Sequence, residues 1–78
     1  MTAEYFKEIK KILETKMGID PADVTLESFF EDDLNVGEME LIEILSELEE
    51  KFQVDLMEEK EGMETVQDLV DLLTERIE

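Results

Sequence analysis

The side chains of this chain that could do chemistry are carboxylates, and two groupings have a spacing worth testing: Glu31, Asp32 and Asp33 ahead of Glu38, and Glu40, Glu43, Glu47 and Glu50. The first grouping invites a calcium loop. An EF-hand loop needs oxygen ligands at positions 1, 3 and 5, glycine at 6 and glutamate at 12. Counted from Asp32, Gly37 and Glu43 fall correctly, but Leu34 and Val36 take ligand positions. Counted from Glu31, Asp33 and Asn35 fit, but Val36 replaces the glycine and Ile42 the glutamate. Neither register makes a metal site, and only weak divalent binding driven by charge density is left. A carboxylate pair such as Asp32 with Glu38 is the other option. Acid catalysis needs a carboxyl whose pKa is raised by an enclosing pocket, which exposed acids lack. With no histidine and no cysteine in the chain, the usual general base, zinc ligands, thiolate nucleophile and disulfide scaffold are absent as well. The expectation is a protein that is not an enzyme, with no catalytic residue and no metal site.

The second grouping concerns partners. Residues recurring at three and four positions lie along one side of a helix, and like charges so placed cost about 0.2 to 0.5 kcal/mol per pair. A ridge kept at that expense mildly favours a binding role. The formal charge is -17, and four of the seven basic residues (Lys7, Lys10, Lys11 and Lys16) lie in the first segment. Between Met17 and Glu50 there is no Lys or Arg, against twelve acids. Negative potential of this kind repels phosphate backbones and attracts basic protein surfaces, which argues against nucleic acid. A plainer reading is that acidic surfaces keep small proteins soluble.

The elements that must position these side chains follow from length and periodicity. Seventy-eight residues make a single domain spanning 1–78, and a chain of this size buries about 60% of its unfolded surface. Hydrophobic content of 42% still suffices for a core, so high charge does not imply disorder. The N-terminus lacks a signal peptide's basic start and apolar run, and no stretch approaches a membrane span. A cytoplasmic monomer is expected. Thr2 can cap a helix to about Met17, with Tyr5, Phe6, Ile9, Ile12, Leu13 and Met17 on one face and Gly18 ending it. From Ile19 to Val36 the period vanishes, and Val24, Leu26, Phe29, Phe30 and Leu34 are expected to pack inward from a long loop. The second helix should run from Gly37 or Glu38 to Phe52. It is expected to bury Met39, Ile42, Leu45, Leu48 and Phe52, with Leu41 and Ile44 at the stripe's edge. The methionines at 39, 57 and 63 could form an adaptable surface or fill the core. One turn around Met57 to Glu61 stops at Gly62. Thr65 and Asp68 make a capping box for a last helix, whose apolar face is Val66, Leu69, Val70, Leu72, Leu73 and Ile77. The fold class is all-α, a bundle of three principal helices plus one short helix.

Three blocks carry a family likeness. The stretch Ser28-Phe29-Phe30-Glu31-Asp32-Asp33-Leu34, the stretch Leu48-Glu49-Glu50-Lys51-Phe52 and the stretch Thr65-Val66-Gln67-Asp68-Leu69 resemble, at matching separations, the acyl carrier protein family. The resemblance covers nearly the whole chain and implies that family's four-helix fold, with an acidic second helix docking on basic patches of synthase or transferase enzymes. In the family an Asp-Ser-Leu triplet opens the second helix and its serine takes a phosphopantetheine arm. Here the triplet is Gly37-Glu38-Met39, and Asn35 stands where the family usually has glycine. The only serines, Ser28 and Ser46, fall in the loop and mid-helix.

By that resemblance Glu38 occupies the serine position, and a carboxylate cannot form the phosphodiester that a hydroxyl forms. No cofactor is therefore expected. Glu38 has two readings: a good N-terminal helix residue, worth about 0.3 to 1 kcal/mol against the helix dipole, or a permanently charged substitute for the phosphate that meets a partner's basic group. The function expected is a non-enzymatic interaction module that binds basic surfaces through Glu38, Met39, Glu40, Glu43, Glu47 and Glu50. The alternative is a working carrier in fatty acid, lipid or secondary-metabolite synthesis with an unusual attachment route.

Overall fold

A computed structural model describes residues 2–78, with side chains from Ala3 onward. Helix α1 (Thr2–Met17) buries Tyr5, Ile9, Ile12 and Leu13, whose spacing sets them on one face. It stops at Gly18, which is left-handed (φ 69°) and donates its N–H to the Glu14 carbonyl at 3.0 Å. Glycine enters that region without a Cβ penalty, so the helix ends there. The cap expected of the Thr2 side chain lies outside the described residues.

The connection 19–36 is packed by its own side chains. Asp20 starts a single 3-10 turn, Pro21–Asp23, by accepting the Ala22 N–H at 2.9 Å. Val24, Phe30, Leu34 and Val36 are buried and Leu26 packs against the core. Phe29 corrects the expectation, being 45% exposed. The reason is local backbone geometry: Phe29 forms an isolated antiparallel bridge with Thr65, and extended backbone sends successive side chains to opposite sides. Ser28 and Phe30 point in, so Phe29 points out. The bridge joins the loop to the last helix, with Phe30 N–H on the Glu64 carbonyl at 2.9 Å and Val66 N–H on the Ser28 carbonyl at 3.0 Å.

Helix α2 (Glu38–Phe52) buries Leu41, Ile44, Leu45 and Leu48; Leu45 and Leu48 are where they were expected, but the rest of the face is rotated. Leu41 and Ile44, assigned to the edge, lie in the core, while Met39 is 76% exposed and Ile42 only half-buried. Leu41, Ile44, Leu45 and Leu48 follow the i, i+3, i+4, i+7 pattern of a single face, and seating that set rotates Met39 to the outside. The helix ends at Gln53, left-handed at φ 58°. Glu49 then accepts the Leu56 and Met57 N–H groups on one carboxylate oxygen, at 2.6 and 3.1 Å, so it starts the short 3-10 helix Met57–Gly62.

Helix α3 (Val66–Ile77) opens on the expected capping box. Thr65 Oγ1 accepts the Asp68 N–H at 3.2 Å, and Asp68 Oδ2 accepts the Thr65 N–H at 3.1 Å. Val66, Leu69, Val70, Leu72 and Leu73 are buried, but Ile77, near the helix end, is 38% exposed. Ile9, Leu13, Ile44, Leu45, Leu48, Leu69 and Leu73 are fully buried where the three helices meet. Tyr5 closes one end. Its ring meets Phe52 edge-on at 5.5 Å, and its hydroxyl donates to Glu78 Oε2 at 2.7 Å. That hydrogen bond first, then burial and the charges of Glu78 and Glu4, push the phenol up to about 12. The architecture is all-α, three principal helices and one short one, with the single bridge and no strand among the described residues.

Candidate functional site

At the start of α2 a turn, a helix terminus and several exposed charges converge. Asn35 is left-handed (φ 56°), a conformation asparagine tolerates better than most residues, and the turn lets the chain drop Val36 into the core. Gly37 follows in extended backbone as the N-cap. Its N–H donates to Glu40 Oε1 at 3.1 Å, but glycine has no side chain to return a bond, so only half of a capping box forms.

Glu38 is the first helical residue. Its carboxylate stands in solvent and accepts a charge-assisted hydrogen bond from Lys60 Nζ at 2.9 Å. That bond and the Lys60 charge hold the Glu38 carboxyl below the usual range, with slight desolvation working the other way. The Lys60 ammonium is raised by the same contact. This is the opposite of the upward shift an acid catalyst needs, so a proton-donating role for Glu38 beside Asp32 finds no support in the electrostatics.

The remaining candidates divide by what holds them. Glu40 is half-buried and tied to the Gly37 N–H. Glu47 faces Lys16 across α1 at 4.0 Å. Glu43 and Glu50 are exposed, and neither carboxylate has an ion-pair partner among the described residues. Met39, expected in the core as an apolar residue of the α2 stripe, stands exposed one position beyond Glu38. Met57 and Met63 are half-buried against the core. Ser28 is buried, with its Oγ accepting the Thr25 N–H at 3.0 Å, whereas Ser46 is exposed mid-helix. Two residues that the sequence does not mark out, Lys60 and Glu49, shape the site. Glu49 reaches the Leu56 and Met57 N–H groups, and Lys60 reaches Glu38, only through the path of the chain between them.

Two concavities flank α2. One, of about 570 Å³, lies between the 29–36 turn, the start of α2 and the Met57–Gly62 helix, with Phe30, Val36 and Leu41 on its apolar side. The other, of about 450 Å³, runs between α1 and α2 under Lys11, Lys16 and Lys51. Among the described residues no three His, Cys, Asp or Glu side chains converge as a metal set. No described helix is long and apolar enough to cross a membrane.

Comparison with known proteins adds the following. Residues 7–73 match the phosphopantetheine attachment site family. Acyl carrier proteins from two strains of Clostridium perfringens, SM101 and ATCC 13124, are each 34% identical over 74 residues, which is 94% of this chain and 97% of theirs. The solution structure of the apo doublet acyl carrier protein from prodigiosin biosynthesis superposes with a TM-score of 0.81 at 25% identity. That match takes in 97% of this chain but only 38% of the doublet.

Proposed function

Because the chain belongs to the acyl carrier protein family of phosphopantetheine attachment domains, we propose that it is a carrier fold used for binding, with no prosthetic arm and no catalytic activity of its own. Acyl carrier proteins work with synthase and transferase enzymes, and basic surfaces of such enzymes are the partners proposed here. The observation that carries the reading is Glu38. On this reading Glu38 stands at the attachment position, and its carboxylate is bonded to Lys60 at 2.9 Å where a free hydroxyl is needed. The residues present therefore do not fit a phosphopantetheine arm. The single domain of residues 1–78 acts as a monomer in the cytoplasm.

Docking proceeds by electrostatic steering of the acidic chain to a basic patch, followed by seating of α2. Met39 supplies an apolar contact, and Glu43 and Glu50 offer carboxylates with no ion-pair partner among the described residues. Glu38, Glu40 and Glu47 exchange their internal partners for external ones. Charge reversal at Glu43 and Glu47 together is expected to weaken partner capture in a pull-down, and undiminished capture would sink the α2 assignment.

The deciding experiment is the intact mass of protein from its native host and of recombinant protein co-expressed with a broad-specificity phosphopantetheinyl transferase. Unmodified mass in both is expected. A covalent adduct in native material would establish the alternative, a working carrier with an unusual attachment residue, and fragmentation would locate it. As a separate check, the double substitution Gly37→Asp with Glu38→Ser should restore modification by the transferase, and failure of the folded variant to be modified would mean that the recognition surface has diverged as well. A Cβ at position 37 would stand 2.8 Å from Glu40 Oε1, the movable end of a side chain, so the helix start tolerates the change once Glu40 swings aside.

A further inference from the structure

We infer that the cleft between the 29–36 turn, the start of α2 and the Met57–Gly62 helix is a groove for a basic amphipathic segment of a partner, and that Lys60 fills its cationic position in cis until that segment displaces it. The inference rests on the docking function proposed above, but it places the contact beside the outer ridge of α2 and not upon it. The lining sets five carboxylates, those of Glu31, Asp32, Glu38, Glu61 and Glu64, against Lys60 as the one cation among the described lining residues. An anionic or neutral guest would leave those charges unanswered, whereas a segment bearing arginine or lysine complements them.

The apolar half of the groove sets the rest of the guest's chemistry. Leu41 and Val36 form a floor joined to the core, Met63 packs half-buried beside them, and Phe29 stands 45% exposed at the edge. Phe29 is turned outward by its backbone bridge to Thr65, so the exposure is built into the fold. An exposed aromatic face beside carboxylates suits a guanidinium, which stacks on the ring while pairing with an acid. Lys60 is held only loosely in that place. The side chains of Lys60 and Glu38 are 32% and 71% exposed, and ion pairs so open to solvent are readily replaced.

The test is an amide NMR titration at low salt with a synthetic amphipathic peptide of arginine and leucine. Shifts are expected at residues 29–36, at Glu38 and at residues 60–64. Lys60→Gln should tighten binding by about two- to fivefold, and that gain should disappear in the Glu38→Gln background. Lys7→Gln makes the same change in net charge away from the groove and is expected to tighten binding by less. Shifts confined to Glu43, Glu47 and Glu50 would overturn the groove while leaving docking on α2 intact. Equal tightening by Lys7→Gln would overturn the displacement of Lys60. Absence of saturable binding by the peptide would remove the groove, and charge reversal at Glu43 and Glu47 in the pull-down would then judge the docking function separately.

Discussion

Helices α2 and α3 begin with the same difficulty, backbone N–H groups that no carbonyl of the helix can satisfy, and they meet it with different residues. At the start of α3 the side chains are short and the bonds are local. Thr65 and Asp68 answer each other, Asp68 Oδ2 also takes the Glu64 N–H at 3.1 Å, and the bridge to Phe29 ties the segment to the loop. At the start of α2 a glycine leaves the box half made, and the outward groups are a long carboxylate held by a long lysine and an exposed methionine. The first terminus is fixed by the fold. The second keeps its charged and apolar groups where an external surface can reach them, and that difference is the physical argument for placing function at α2.

The strongest way to break this contrast is to compare the two faces of α2 itself. Leu45 is fully buried and Met39 is 76% exposed. Leu45→Ala should therefore cost about 2 to 5 kcal/mol in urea denaturation, and Met39→Ala should stay within about 0.5 kcal/mol. A large loss at Met39 would mean that it packs in solution, and the α2 start would lose its apolar contact. The next effect in size is at the α3 cap. Thr65→Ala removes the acceptor for the Asp68 N–H and should cost about 1 kcal/mol. At α2 the N-cap glycine has no such acceptor to lose, and Glu40→Ala, which frees only the Gly37 N–H, should cost less. If Glu40→Ala costs as much, the two termini are equally anchored and the contrast fails.

How much of this was legible in the sequence depended on whether the decisive interaction was local. Gly18 and the pair Thr65 and Asp68 act within a few residues, and the helix ends they imply are where the structure has them. The α2 face was not legible. Seven of its fifteen residues are apolar (Met39, Leu41, Ile42, Ile44, Leu45, Leu48 and Phe52), so two overlapping stripes exist, and the choice between them is made by the elements α2 packs against, α1 and the Met57–Gly62 helix among them. The outward orientation of Phe29 was no more legible, since it follows from a bridge to a residue far along the chain. The pairing of Lys60 with Glu38 is non-local in the same way, across 22 residues. At the site, the charges were visible in the sequence, while their pairing was set by tertiary contacts.

A third strain on the comparison is its smallest, the titration of the Glu38 and Lys60 pair. The Glu38 carboxyl is lowered, first by the hydrogen bond from Lys60 and then by the Lys60 charge. A lowered acid contributes stability that is present above the ordinary carboxylate range and is lost as pH falls through the lowered value. Lys60 is raised by the bond to Glu38 and by its charge, so its contribution is present below the ordinary lysine range and is lost as pH rises through the raised value. Both are in force at neutral pH. The midpoint of the Glu38 carboxyl carbon shift, followed by NMR, should lie lower in the native sequence than in Lys60→Gln, and added salt should narrow the gap because the pair is open to solvent. Equal midpoints would mean that Lys60 does not hold Glu38 in solution. The α2 terminus would then present a wholly free carboxylate, more available to a partner than the structure suggests, and the displacement of Lys60 would have nothing to displace.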